Sequence, residues 1–406
     1  MSRFDLQTDA AAKLPTTDAF DFLAPPRIVF GWGRRAEVGG LAASLGRRAF
    51  VVTGSKTLQV NGTLAAIFGM LEKHGVMPLP VAHIAREPLV ADVDQATAAV
   101  CGHGIRAGDF VIAIGGGSAM DLAKAVAAMA TNREGTSVAD YLEGVGKGLN
   151  LLTPPLPVLA VPTTAGTGSE ATKNAVISSL DPPYKKSLRH DAMIPRIVLV
   201  DPELTVPVPP HVTAQTGMDA ITQLIESFIS CRAKPLARAL ALDGLKRALP
   251  AIGEAVRDGS SRSAREAMSY AALVSGMALA NSGLGLAHGV AAALGVQANV
   301  AHGLACAVML PPTLKANRTA CEQEYAELAH CLPGNVPATT AAAADHFVER
   351  IEHLVHELGI PRSLSQLGVK SSQIPALVAG SRGNSLSGNP RPIHDAELTE
   401  ILETIL

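Results

Sequence analysis

"DFVIAIGGGSAMDLAK", residues 109–124, decides the fold. The run from Phe110 to Ile114 is wholly apolar and rich in β-branched residues, which reads as a strand buried on both faces. Three glycines break it at once, and the spacing of apolar residues after Ser118 predicts a helix. Backbone N–H groups of Gly116, Gly117 and Ser118 can approach a pyrophosphate there, and the helix N-terminus favours its charge. The pattern is not GxGxxG and falls at about the fourth strand, so an ordinary Rossmann repeat is not expected.

Working outward, "RIVFGWG" (27–33), "RAFVVTGS" (48–55), "PLPVAHI" (78–84), "PVLAVPTT" (157–164) and "RIVLVDPEL" (196–204) also read as strands. Helical patterns lie between them, among them 62–75 and 93–105, so a doubly wound α/β sheet is predicted. "NAVISSLDPPYKKSLRH" (174–190) reads as a hairpin laid over that sheet. After "LTVPVPP" the pattern becomes helical with no convincing strand. We therefore expect a dinucleotide-binding α/β domain over 1–206 and an all-helical catalytic and metal domain over 207–406.

Composition narrows the function classes. The 406 residues are 48% hydrophobic and 17% charged with a net charge of −2, which supports large cores and argues against nucleic acid as a partner. The five cysteines are scattered without a CxxC pair, as expected of reduced thiols used as small core residues in a cytoplasmic protein. The N-terminus carries acids and no apolar stretch of signal-peptide type. Residues 267–314 contain no Asp, Glu, Lys or Arg, long enough for two membrane spans. Their Ala, Gly, Asn and His content instead predicts helices at the centre of a helical domain.

Two polar constellations stand out. "PTTAGTGSEAT" (162–172) gathers hydroxyls at Thr163, Thr164, Thr167 and Ser169 at a strand end; helix capping explains one or two of them, a dinucleotide all four. In "GMDAITQLIESF" (217–228), Asp219 and Gln223 share a helix face, and the charge-free block adds His288 and His302. A buried His is ordinarily a hydrogen-bonded core residue, but two in an uncharged block call for a polar partner. A cation held by Asp219, His288 and His302 would supply it and leave room for a substrate oxygen.

These motifs, with "VDPELT" and "NPRP" (389–392), follow one another along nearly the whole chain in an order that resembles the iron-containing (group III) alcohol dehydrogenases. That superfamily also includes glycerol dehydrogenase and dehydroquinate synthase. The resemblance implies NAD or NADP bound by the α/β domain, a divalent metal (Fe2+ or Zn2+) in the cleft, and a homodimer or a multiple of one with the strand near "RIVFGWG" at the subunit contact. Asp219, His288 and His302 match three of the four usual ligands, and Gln223 sits where the fourth is usually His. Ala292 replaces another active-site His, which leaves the proton relay unassigned. Asp121, Lys186 and Leu204 are implied cofactor contacts, with Lys185 an alternative to Lys186.

Three arrangements follow for Gln223. Its amide oxygen ligates the metal, although more weakly than imidazole. It stands aside and leaves three ligands and a water. Or the metal is absent, as the maleylacetate-reductase branch suggests. The expected chemistry is hydride transfer between NAD(P) and a small alcohol or aldehyde; the alternative is a metal-independent oxo-acid reductase resembling maleylacetate reductase. A dehydroquinate-synthase-like lyase and a membrane transporter rank below both. Cofactor choice hangs on Gly54, Ser55 and Lys56, which stand where an acid after the second strand would hold the ribose diol of NAD.

Overall fold

The computed structural model describes residues 19–406. Six parallel strands form the main sheet: β1 (Ile28–Phe30), β2 (Arg48–Thr53), β3 (Met77–His83), β4 (Asp109–Gly115), β5 (Val158–Pro162) and β8 (Ile197–Val200), in the order β1-β8-β5-β4-β2-β3. All are segments expected as strands. β4, the opening stretch, is buried along its whole length, flanked by β2 and β5. β6 (Asn174–Leu180) and β7 (Pro183–Arg189) form the expected antiparallel hairpin.

The helix after β4, Gly117–Thr131, packs on one face of the sheet with Val90–Gly102. Thr63–Lys73 covers the other. From β2 the chain runs outward to β3, and from β4 it runs the other way to β5 and β8. The crevice at the carboxyl ends of β2 and β4 is thus a topological switch point, where open α/β sheets bind ligands. One boundary moves: the helix expected over 93–105 spans Val90–Gly102. Asp92 accepts from the Leu89 N–H at its start, and Gly104, at φ +64°, lies beyond its end.

Beyond Pro210 the described chain holds no strand. Its long helices are Pro210–Ile229, Pro235–Arg257, Arg262–Ala280, Leu286–Ala298, His302–Asn317 and Thr340–Glu357. The change from strands to helices falls in the stretch joining β8 to Pro210–Ile229. The charge-free block forms parts of three helices in the centre of this bundle, and no described helix is long and apolar enough to cross a membrane.

Two close backbone approaches press the halves together. A Cβ on Gly276 would lie 2.0 Å from the Gly168 carbonyl oxygen, and one on Gly166 would lie 2.7 Å from Thr216 Cβ. The loop "PTTAGTGSEAT" therefore rests directly on the helices Arg262–Ala280 and Pro210–Ile229, and the second of these carries Asp219.

Candidate active site

The sheet side of the site is made mostly of backbone. Gly116 caps the helix Gly117–Thr131, which starts directly after β4, and its first N–H groups have no partner within the helix. Side chains are excluded here. A Cβ at Gly54 would meet Gly115 Cα at 2.9 Å, and one at Gly117 would meet Thr167 Cγ2 at 2.6 Å. Gly54, Ser55, His83, Gly115 and Thr163 line a small cavity at this point. Gly54 was singled out for its lack of an acidic group, and the structure adds a steric reason for glycine.

Below the loop lies a network that holds it in place. Lys124 is buried and donates to the Ser169 hydroxyl at 2.7 Å, the Ser169 carbonyl at 2.8 Å and the Thr172 hydroxyl at 2.9 Å. Asp121 accepts from the Ser169 hydroxyl at 2.5 Å and from the Val176 N–H at 3.1 Å. Thr167 Oγ1 accepts from the Ser169 N–H at 3.2 Å, and Thr163 donates its own N–H to the Gly115 carbonyl. Asp121 and Ser169 thus tie loop, helix and hairpin together, while Thr164 lies against Gly116. Ser118, at the helix start, remains half-buried. Leu204 is buried in the apolar layer with Val29 and Leu199. Burial of Glu170 in this region raises its carboxyl to about 7.

The helical side is built from side chains. Asp219, Gln223 and Glu226 follow one another along one buried face of Pro210–Ile229. Glu226 accepts from His288 Nδ1 at 2.6 Å and from the Ala287 N–H at 2.7 Å, which fixes the imidazole and turns Nε2 toward Asp219. That Nε2 is buried, lies 3.4 Å from Asp219 Oδ1, and has no aligned hydrogen-bond partner. His302 opens the next helix, its Nε2 3.8 Å from Asp219 Oδ1 and 3.7 Å from Cys306 Sγ. Asn389 of "NPRP" accepts from the Leu286 N–H and exchanges amide hydrogen bonds with Asn317, holding the start of the His288 helix.

Gln223 is placed differently from the other three. Its Nε2 lies 3.3 Å from Asp219 Oδ1, and its Oε1 lies 3.0 Å from the Ser275 hydroxyl. The donor end of the amide faces the carboxylate, an acceptor only. A donor atom of each of Asp219, His288, His302 and Cys306 lies within 4.8 Å of the other three. Cys306 went unnoticed in the sequence, although it follows His302 by four residues, the same one-turn spacing that joins Asp219 to Gln223. Three of the five cysteines are buried as expected, whereas Cys231 is exposed and Cys101 is half-buried. His103, His190, His211 and His394 are exposed, in keeping with surface roles.

The electrostatics suit a cation. Burial works against the charge on Asp219, but His302 and His288 hold its carboxyl below the ordinary range. Burial likewise opposes the His288 imidazolium, but the Glu226 charge and the Asp219 carboxylate beside it outweigh that, so its pKa is raised. His302 is pushed down to about 4, chiefly by burial, so at neutral pH its ring is uncharged and one of its two nitrogens keeps a lone pair. Burial pushes the Cys306 thiol up to about 12. Two buried carboxylates, Asp219 and Glu226, thus face imidazole nitrogens, one of which lacks a hydrogen-bond partner. A divalent metal satisfies both the charge and the orphaned nitrogen, so the residues fit the group.

Lys185 reaches toward this cluster from β7 and pairs with Glu87 at 2.5 Å. Lys186, next along the strand, belongs to the opposite face by the alternation of β structure. Ala292 lies one turn beyond His288.

Comparison with known proteins agrees with this construction. Residues 25–202 match the iron-containing alcohol dehydrogenase family model, and residues 213–406 match the C-terminal model of the same family. The chain is 33% identical over 384 residues to long-chain-alcohol dehydrogenase 1 of Geobacillus thermodenitrificans, covering 93% of this chain and 95% of that protein. A crystal structure of 1,3-propanediol oxidoreductase superposes with a TM-score of 0.88 at 30% identity, over 96% of this chain and 100% of that one. A sulfoacetaldehyde reductase from Bifidobacterium kashiwanohense, solved in complex with NAD+, gives 0.85 at 29% identity, over 96% and 99%. The chain belongs to the iron-containing alcohol dehydrogenase family and is an alcohol dehydrogenase or aldehyde reductase dependent on NAD(P).

Proposed function

We propose that hydride passes between nicotinamide C4 and the carbon of a short alcohol or aldehyde at the junction of the loop 162–172 and the helix Pro210–Ile229. The observation that carries this reading is the buried, unpartnered Nε2 of His288 beside Asp219, on a helix that touches the loop through Gly166 and Thr216. The dinucleotide lies across the carboxyl ends of β2, β4 and β5. Its pyrophosphate meets the N–H groups of Gly116, Gly117 and Ser118, and Thr163, Thr164 and Thr167 flank it.

Asp219, His288 and His302 would hold the divalent metal, which when bound supplies Lewis-acid polarisation of the substrate oxygen. Glu226 orients His288, and Gln223 steadies Asp219 through its amide N–H. His302 is the most open of these residues, its side chain 28% accessible, and it marks the side from which substrate enters. Lys185, held by Glu87, brings a positive charge to the same mouth and suits a dinucleotide phosphate or a polar substrate group.

No acid stands at Gly54, Ser55 or Lys56, so we infer that NADP is accepted as well as NAD. The protein is expected to work in the cytoplasm, its cysteines free, as a homodimer joined at the edge strand β1. The named relatives act on alcohols and aldehydes, and a site with an unsatisfied imidazole beside a buried carboxylate favours the metal-dependent reading over an oxo-acid reductase.

The test is elemental analysis of protein purified without chelator, followed by NAD(H) and NADP(H) assays on short alcohols and aldehydes before and after chelation. About one metal per subunit, with activity lost on stripping and regained on reloading, is expected. Activity that survives complete removal of metal would overturn the reading in favour of the oxo-acid reductase.

A further inference from the structure

We propose that Cys306 is the fourth metal ligand of this chain, taking the place of the imidazole that Gln223 replaces, and that the site prefers zinc to iron. The inference rests on the metal-dependent reading above and adds the identity of the ligand set.

The geometry comes first. A tetrahedral site with metal–nitrogen and metal–oxygen bonds near 2.0–2.1 Å and a metal–sulfur bond near 2.3 Å places neighbouring donor atoms roughly 3.3–3.6 Å apart. The observed separations are 3.4 Å for His288 Nε2 to Asp219 Oδ1, 3.8 Å for His302 Nε2 to Asp219 Oδ1, and 3.7 Å for His302 Nε2 to Cys306 Sγ. All four donor atoms lie within 4.8 Å of one another, so the side chains must draw together to close on an ion. Cys306 and His302 share one helix face, so the thiol reaches the site without any change of backbone. The buried and unpartnered Nε2 of His288 is an independent sign that a ligand belongs at this spot.

Gln223 does not compete. Its amide turns the N–H end to Asp219, and its oxygen is within reach of the Ser275 hydroxyl. A ligating amide would have to reverse, placing its oxygen toward the carboxylate. Gln223 is therefore a positioning residue for Asp219.

The chemistry then sets the preference. The ion displaces the thiol proton to solvent, one sulfur–metal bond forms for the sulfur–hydrogen bond broken, and no oxidation state changes. Three oxygen and nitrogen donors with one thiolate make a softer set than an aspartate with three imidazoles, which moves selectivity toward zinc. Cys306 is fully buried while His302 faces the cleft, so the sulfur sits at the floor of the site. His302 would then leave the open side of the site to the substrate oxygen.

Cobalt(II) reports on this directly. Protein stripped by chelator and reloaded with one cobalt per subunit should show a sulfur-to-cobalt charge-transfer band in the near ultraviolet. Cys306→Ser should lose that band and bind zinc about tenfold or more weakly in competition with a chromophoric chelator. Cobalt bound one to one in the wild type without the band would overturn the ligand assignment while leaving the metal reading intact. So would a band and zinc affinity unchanged in Cys306→Ser. If the wild type binds neither cobalt nor zinc yet reduces aldehydes with NAD(P)H, the metal reading falls, and this inference with it.

Discussion

The two sides of the cleft are built by opposite means. On the sheet side main chain comes close to the crevice, and a Cβ at Gly54, Gly115 or Gly117 would lie within 2.9 Å of a neighbour. On the helical side the contacts belong to side chains: Asp219, His288 and Cys306 are buried, His302 is partly open, and each is aimed by another residue or by its helix. A pyrophosphate is much the same in every dinucleotide, so backbone N–H groups suffice and side-chain volume is what must be excluded. An ion responds to the identity of each donor atom, so a single Gln or Cys changes the site while the fold stays as it is.

The largest expected effect divides the two sides most sharply. Asp219→Asn keeps the shape and the hydrogen bond to Gln223 but removes the charge shared by both imidazoles. Bound metal should be lost, and kcat/KM should fall by about 10³-fold. The dissociation constant for NAD(P)H, read by fluorescence titration, should stay within about threefold of wild type, because the sheet-side contacts are untouched. A parallel collapse of dinucleotide binding would show that the two sides form one site.

The same division explains what the sequence disclosed. β4 and its glycines, the loop 162–172 and the hairpin were legible because backbone conformation leaves its mark on adjacent residues: glycine where space is short, β-branched runs where strands are buried, proline at a turn. Asp219, His288 and His302 were legible because ionisable and imidazole side chains are conspicuous in apolar helices. Cys306 was not, since a cysteine in an apolar helix looks like any small core residue. Glu226 was hidden for another reason: it sits near His288 only after two helices pack, and nothing local distinguishes a carboxylate that orients an imidazole from one on a solvated face. The choice between Lys185 and Lys186 needed the pairing of β7 with β6, which sets the face each one occupies.

Glu170 complicates the contrast, because it is a buried ionisable group on the side otherwise built of main chain. Its carboxyl titrates at about 7 in the folded protein, raised by burial from 4.5, while the charge of Lys124 pulls it back down. Since the folded pKa is the higher, the folded state holds the proton more tightly. The associated stability is complete below about 4.5 and is lost as pH rises through about 7. The difference between Glu170→Gln and wild type in unfolding free energy should therefore change with pH by on the order of 3 kcal/mol across that interval. Urea denaturation at pH 5 and pH 8 measures it. Parallel pH profiles for the two proteins would mean that Glu170 is charged in the fold and compensated by Lys124.

The smallest effect tests whether volume alone matters on the sheet side. In Gly117→Ala the new methyl would sit 2.6 Å from Thr167 Cγ2 and 2.8 Å from its Oγ1, so loop and helix must part slightly. Overpacking of this kind costs about 1–3 kcal/mol, and the dinucleotide should bind about tenfold more weakly, with metal content unchanged. Thr167→Ser in the same chain removes the nearer atom and should restore part of the affinity, whereas Gly102→Ala, which meets nothing within 4 Å, should leave binding alone. If Gly117→Ala binds as tightly as wild type, the loop yields, and its fixing by Lys124 and Asp121 does less to shape the crevice than their hydrogen bonds imply. If affinity drops and the serine substitution restores none of it, then the approach to Thr167 is not what the dinucleotide senses at Gly117.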